Sequence, residues 1–283
     1  KRYLVWVVLA STVYLFVEVL RHHLPGLTDG TWNGFWPAVD LVAALAVSWM
    51  PLAADYTRQA RSPKEAFWGA AVGYGVTSAA FFVLGVLVFV SVGGDDVLGS
   101  LLAIPAGTIA LLVLAVDEID EAFANIYSTA VSAQNVLPRV DRRILAIVVG
   151  ALASVLALIV DIQQYQSFLY LLGSVFVPLF AVFIVDYYVL RRRDWDVSES
   201  APARWSMLLP WLVGFVTYQL VNPGQVGWWQ RWWVARQHDL HFHPPTWLSA
   251  SLASFVVASA LTFLVSATTR RGRRSDASPA LTA

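Results

Sequence analysis

The chain of 283 residues contains no cysteine, and only 13% of its residues are charged. The absence of cysteine excludes disulfides and thiolate metal sites. Soluble domains carry roughly 25% charged residues, whereas this chain is 58% hydrophobic and has 13 tryptophans. The composition therefore predicts an all-α, polytopic membrane protein whose main partner is the lipid bilayer. The formal net charge is zero, and nothing in the sequence indicates a nucleic-acid partner.

The chain also lacks the motifs of nucleotide and nucleophile chemistry. No phosphate loop, glycine-rich nucleotide fingerprint or nucleophile constellation occurs. We therefore expect neither enzymatic activity nor a cofactor. His238, His241 and His243 lie close together, but no further soft ligand accompanies them and Pro244 follows. An interfacial aromatic girdle explains the neighbouring tryptophans more simply, and we expect no metal site.

Eight apolar segments are long enough, or nearly so, to cross a bilayer. Of the 19 lysines and arginines, sixteen fall on one side of the membrane and three on the other when each segment is counted as one span. This bias follows the positive-inside rule and places both ends of the chain in the cytoplasm. The segments are Tyr3–Leu20, Trp36–Ala54, Phe67–Val92, Leu101–Ser132, Ile144–Val160, Phe168–Leu190, Met207–Val221 and Trp247–Val265.

Two parts of the chain are distinguished by composition. Residues 1–267 form the predicted transmembrane domain, and residues 268–283 form a predicted disordered, basic tail in the cytoplasm. The chain begins Lys1-Arg2 without an initiator methionine. We expect it to be the carboxy-terminal part of a longer transporter.

Four carboxylates follow directly on the apolar run that begins at Leu101, and no lysine or arginine neutralises them before Arg139. Each ionised acid at the centre of a membrane helix costs about 2.5 to 3.5 kcal/mol. Either the acids lie at the aqueous end of the span, or a proton, a cation or a wet cavity compensates them. At about 100° per residue, one helix side collects Asp117, Asp120, Glu121, Ala124, Asn125, Ser128, Ser132 and Asn135. A stripe of oxygen ligands is what a cation or proton pathway needs.

The second predicted span is interrupted by Ser48-Trp49-Met50-Pro51. Proline removes a backbone donor and clashes with the preceding turn, and broken helices at mid-depth form substrate and ion sites in many transporters. Trp49 offers a flat face for a planar ring, although a proline kink with a packed tryptophan explains the pattern equally well. Asp55 and Arg58, three residues apart, are predicted to form a structural ion pair, and Asp186 is predicted to pair with a following arginine.

Three stretches resemble one transporter family. Ser48 to Arg58 (SWMPLAADYTR) is similar to the sixth membrane helix of the nucleobase:cation symporters, the permeases for cytosine, purines, uracil, thiamine and allantoin. Asp120 to Ser132 (DEAFANIYSTAVS) resembles their eighth helix, and Val185 to Tyr188 (VDYY) their tenth. The likeness extends from about residue 36 to 193 and more loosely to the end.

The resemblance implies a leucine-transporter-like fold of two inverted repeats, with the chain starting at the fifth helix and the first four helices absent. It also implies roles for single residues. Trp49 would stack on a planar base, with Ser48 beside it, while Asn125 and Ser128 would hydrogen-bond the base. Asp120, with Glu121 or Asp117, would couple Na⁺ or H⁺. The family uses hydroxyls and carbonyls where this chain has carboxylates, so proton coupling is as plausible as sodium coupling.

The sequence thus predicts a secondary active transporter in the plasma membrane that takes up a nucleobase-like heterocycle with Na⁺ or H⁺. An amino-acid or polyamine transporter of the same fold is the alternative, and the choice between them rests on the resemblance. A channel or a non-transporting membrane scaffold is a further alternative, which the acid stripe and the broken helix disfavour.

Overall fold

The computed structural model describes residues 4–21, 31–53, 57, 60–92, 99, 101–102, 104–159, 165–191, 194–196, 198, 201, 203–224 and 227–276. These residues are helical or irregular and contain no strand. The chain divides into two compact units, Lys1–Thr31 with Leu52–Ile159, and Trp32–Pro51 with Val160–Ala283.

The first unit contains four helices, α1 (Leu4–Arg21), α3 (Pro63–Val92), α4 (Gly107–Val136) and α5 (Arg142–Ile159). Helix α1 packs against α3 and α4, and α4 also packs against α5. A small core joins the first three of these helices, and the Tyr14 hydroxyl donates a hydrogen bond to the Pro105 carbonyl. The core residues are Leu15, Val19, Leu84, Val88, Ile104 and Ala110.

Local signals fix where these helices begin. Ser62 accepts a hydrogen bond from the backbone N–H of Glu65 at 3.2 Å, and Pro63 occupies the first helical position, so α3 starts with a capping box four residues before the predicted span. Helix α4 begins at Gly107, after Pro105, and not at Leu101 where the predicted span starts. A Cβ on Gly107 would lie 2.0 Å from the Leu101 carbonyl oxygen, so only glycine fits there.

The second unit contains α2 (Phe35–Ser48), a 3₁₀ turn (Met50–Leu52) whose last residue already belongs to the first unit, α6 (Tyr165–Ile184) with a π-helical extension (Val185–Leu190), α7 (Leu208–Val221), α8 (Gly227–Asp239) and α9 (Ala250–Asp276). Helices α6, α7 and α9 pack closely because Gly214 lacks a side chain. A Cβ on Gly214 would lie 2.6 Å from Cβ of Pro178 and 2.9 Å from Cβ of Ala258.

Five helical stretches in the described residues are long and apolar enough to cross a membrane, and α7 with its preceding turn is a shorter apolar helix. The chain is therefore a multi-pass membrane protein. Helix α1 lies within one residue of the predicted span Tyr3–Leu20, whereas α4 covers Gly107–Val136 and not Leu101–Ser132. The total of eight spans stays a prediction. The five stretches are Phe35–Leu52, Pro63–Val90, Arg142–Ile159, Gln166–Leu190 and Ala250–Ala267.

Two predicted boundaries differ from the structure. Helix α8 occupies a segment between two predicted spans that we expected to be a loop. Its run of tryptophans has no 3.6-residue periodicity, which hides the helix. The segment contains no proline or internal glycine, so a helix can form there. Helix α9 continues to Asp276, into the tail predicted as disordered from residue 268. Extending an existing helix through threonines and arginines costs little, and no breaker occurs before Gly272.

Candidate functional site

The break in α2 is present where the sequence predicts it. The α-helix ends at Ser48, and the 3₁₀ turn containing Pro51 follows. The Ser48 hydroxyl donates a hydrogen bond of 2.7 Å to the Leu45 carbonyl, which leaves its oxygen lone pairs as acceptors. Trp49 lies half-buried at the break. The site thus offers an aromatic face and a hydroxyl oxygen at the end of a helix.

The acid stripe lies on one continuous helix, so the residues that the 100° spacing groups together do share a face of α4. Towards its amino-terminal end the same face carries Ala110 and Leu114, which pack in the core with α1. Farther along it, Asp117 and Glu121 are half-buried. In the described part of the chain, neither acid forms an ion pair.

The opposite face of α4 has the character of a lipid-facing surface. Ile119 and Phe123 are each 69% exposed, and a large apolar side chain in the middle of a membrane helix is stable in that state only against lipid or another apolar surface. Ile126 turns towards α5, where its Cδ1 lies 3.6 Å from a Cβ built on Gly150. The polar residues of α4 therefore point to the side that lipid does not occupy.

Asn125 and Ser128 follow the acids on this face. Ser128 is only 6% exposed. The amide oxygen of Asn125 is buried and accepts no hydrogen bond from any residue that the structure describes. An unpaired buried acceptor costs about 1 to 3 kcal/mol, so this oxygen is a natural point for a donor from outside the described chain.

The side chains of three predicted site residues lie outside the part of the chain that the structure describes. The backbone of Asp120 is helical in α4, but its side chain is outside the described residues. Asp55 and Arg58 are also outside them, and their ion pair stays a prediction.

A polar corner joins α4 to α5 at the far end of the stripe. Arg142 donates to the Gln134 amide oxygen at 3.1 Å and to the Tyr127 hydroxyl at 3.3 Å. Its guanidinium also lies 5.8 Å from the centre of the Tyr127 ring, a cation–π distance. Arg142 thereby links the carboxy-terminal part of α4 to the start of α5.

Asp186, in the π-helical extension of α6, is 2% exposed and fully engaged. Arg204 donates to both of its carboxylate oxygens, Trp195 Nε1 donates at 2.8 Å, and Arg191 lies 3.7 Å away. The hydrogen bond to Asp186 raises the pKa of the Arg204 guanidinium above its ordinary value. The sequence predicts a pair with a following arginine, and of the two arginines in contact Arg204 is the nearer to the carboxylate.

The sequence analysis missed Asp40 of α2, which is 2% exposed. Its carboxylate accepts hydrogen bonds from the Ser249 hydroxyl at 2.5 Å and from the backbone N–H groups of Ala250 and Ser251 at 2.9 Å. Asp40 thereby satisfies the orphan donors at the start of α9. The available signal was a lone acid inside an otherwise apolar span, which is unusual in itself.

The structure brings the predicted residues together in two sets. Ser48 and Trp49 lie at one helix end in the second unit, while the acids, Asn125 and Ser128 share one face of α4 in the first unit. In the described part of the chain, no group of three histidine, aspartate or glutamate side chains could hold a metal ion.

The chain was compared with curated proteins, solved structures and protein-family models. No curated protein and no solved structure matches the chain. A family model described as a permease for cytosine/purines, uracil, thiamine and allantoin matches residues 3–204, which contain the broken helix, the acid stripe and the engaged Asp186. This is a family of transporters and not a class of enzymes. The chain belongs to the permease family for cytosine/purines, uracil, thiamine and allantoin.

Proposed function

We propose that this chain acts in secondary active transport, in which it binds a nucleobase-like heterocycle, such as cytosine, another pyrimidine or a purine, and moves it inward together with Na⁺ or H⁺. Membership of the permease family supports a planar heterocycle over an amino acid or a polyamine. The observation that carries the proposal is the buried, unpaired amide oxygen of Asn125 on the polar face of α4.

Each proposed substrate contact follows from the chemistry of the residue that makes it. Heterocycles of this class present N–H donors at their edge and a π face above the ring. Asn125 would accept from an N–H, and Ser128 would add a hydroxyl on the same helix face. Trp49 would stack on the ring, since aromatic stacking tolerates different bases, and Ser48 would contribute its free oxygen lone pairs.

The acids supply the coupling. Asp117, Asp120 and Glu121 lie within about one helical turn of one another, so either a sodium ion shared among their oxygens or a single shared proton would relieve their mutual repulsion. The half-buried positions of Asp117 and Glu121 favour such relief, because separation from bulk water strengthens the repulsion.

The proposed architecture is a leucine-transporter-like inverted repeat in the plasma membrane with both ends of this chain in the cytoplasm. The bias of positive charge supports the orientation. In that arrangement Asp55 and Arg58 would form an ion pair at the cytoplasmic end of the broken helix.

Uptake of labelled cytosine by cells that produce the protein tests the role of Asn125. We expect Asn125→Ala to raise the KM about tenfold, since a lost hydrogen bond is worth about 1 kcal/mol or somewhat more. Asn125→Asp keeps an acceptor oxygen and should raise KM less. Asn135→Ala is the matched control, because Asn135 lies on the same face but is exposed. Equal KM values for Asn125→Ala and Asn135→Ala, at equal protein levels in the membrane, would refute the proposal.

A further inference from the structure

A cavity of about 230 Å³ lies where three helices of the second unit meet. The amino-terminal turns of α6 contribute Tyr170 and Leu171, the end of α7 contributes Gln219, and the start of α8 contributes Trp228 and Trp229. Gln219 is only 2% exposed, and its amide oxygen accepts a hydrogen bond of 2.9 Å from Trp229 Nε1. Almost all of the surface that faces the cavity is therefore carbon.

The cavity lies at the ends of membrane-spanning helices. The apolar stretch Gln166–Leu190 starts beside it, and the apolar helix Trp205–Val221 ends beside it. Helix α8 has 13 residues, about 20 Å of helix, which is too short to cross a hydrocarbon core of about 30 Å. The cavity is therefore at the level where acyl chains meet headgroups.

One side of helix α8 packs against α7, and the other side is exposed. Trp233 is 6% exposed, and Gln237 donates a hydrogen bond of 2.8 Å to the Leu220 carbonyl. Trp228 and Trp232 are 66% and 51% exposed. Exposed tryptophans on a short helix at the end of a span are typical of the interfacial region.

The positive charges on α8 differ in their surroundings. Arg236 pairs with Asp239 at 3.1 Å and lies 5.7 Å from the centre of the Trp232 ring. Arg231 is exposed and forms no ion pair with any residue that the structure describes. Its Nη1 lies 3.4 Å from a Cβ built on Gly227, which places the guanidinium along the first turn of α8, next to the tryptophans that line the cavity.

We propose that this cavity is a binding site for an anionic diacyl phospholipid, with a segment of one acyl chain in the aromatic pocket and the phosphate paired with Arg231. The volume is below the roughly 300 to 1,000 Å³ of sites for drug-sized molecules, so the cavity accepts part of a chain and leaves the headgroup outside. A carbon-lined wall offers no partners for the polar edge of a nucleobase. Basic groups at the ends of spans attract anionic headgroups. Arg231 favours an anionic lipid over a zwitterionic one because the latter's headgroup carries a cation beside the phosphate.

Native mass spectrometry of the purified protein with added phosphatidylglycerol or phosphatidylcholine tests the site. We expect one phosphatidylglycerol to be retained at least five times more tightly than phosphatidylcholine. Arg231→Gln should remove that preference, and Arg236→Gln, the matched control on the same helix, should keep it. Leu171→Trp, which fills the cavity from a half-exposed position, should weaken retention of both lipids.

Several outcomes would overturn the proposal. Equal retention of the two lipids by the unaltered protein would exclude recognition of the anionic headgroup. Unchanged retention in both Arg231→Gln and Leu171→Trp would place the lipid elsewhere. Displacement of the lipid by cytosine would show that the cavity takes a heterocycle instead. Helicity measured by circular dichroism confirms that each variant is folded, and uptake of labelled cytosine, measured separately, tests the transport proposal without reference to this site.

Discussion

Two groups of carboxylates in the apolar part of the chain have opposite surroundings. Asp40 of α2 is almost fully buried, and three donors from the start of α9 occupy its oxygens. Asp117 and Glu121 of α4 are half-buried and form no ion pair within the described residues, and Asn125 beyond them has an unpaired oxygen. One group is satisfied by the protein itself, and the other has no such partner among the residues that the structure describes.

The difference separates a structural acid from candidates for coupling. A carboxylate whose oxygens all accept fixed hydrogen bonds contributes to stability and has no capacity left for a ligand. A cluster of neighbouring acids without cations is costly unless a proton or an ion joins it. A variant of Asp40 should therefore change folding more than transport, and variants of the α4 acids should do the reverse.

The largest expected effect on stability is that of Asp40→Ala. The substitution leaves the Ser249 hydroxyl and two backbone N–H groups without their acceptor, at about 1 to 3 kcal/mol for each buried group. We expect a loss of about 3 to 5 kcal/mol, measured as a large fall in the Tm of the purified protein. Transport by the fraction that remains folded should retain its dependence on the cation.

Glu18→Ala provides the control for this experiment. Glu18 pairs with Arg21 at 2.6 Å, but the arginine side chain is 69% exposed, and exposed pairs contribute roughly 0 to 1 kcal/mol. A Tm for Asp40→Ala as high as that for Glu18→Ala would show that the hydrogen bonds of Asp40 are unimportant and would remove the basis of the comparison.

The sequence predicts the features that depend on neighbouring residues. The break at Pro51 follows from proline geometry, and the common face of the α4 polar residues follows from helical spacing. These effects act within one or two helical turns, so neighbouring residues in the sequence are enough to predict them. The predicted membrane class follows equally from composition and was confirmed by the apolar helices.

The environment of Asp40 could not be predicted in this way. Its donors lie 209 to 211 residues away in the chain, and no local pattern connects α2 with the start of α9. The same holds for Arg204, which pairs with Asp186 at a separation of 18 residues in the chain. Helix α8 was missed for another reason, since its contacts with α7, and not its periodicity, distinguish its buried side from its exposed side.

A smaller effect, on transport, is expected for Asp120→Ala. Coupling free energies between two ligands are typically about 1 to 3 kcal/mol, or 5- to 150-fold in affinity. We expect the enhancement of labelled cytosine uptake by Na⁺ or by acidic pH to disappear, while the Tm changes little. Asn135→Ala serves again as the control on the same helix face. Undiminished uptake that still depends on the cation would exclude Asp120 from coupling and would leave Asp117 and Glu121 as the candidates.

The smallest expected effect concerns Asp186, a third kind of buried acid, which two arginines and the neutral indole of Trp195 satisfy. If the pair with Arg204 is purely structural, Asp186→Ala and Arg204→Ala should each lower stability, and the double variant should lose less than the sum. We expect a coupling energy of about 1 to 2 kcal/mol from the double-mutant cycle, because Arg204 remains 32% exposed and solvent weakens the pair. Additive losses would show that the two residues act independently. A large loss of transport in variants with nearly normal Tm would instead move Asp186 from the structural group to the functional one.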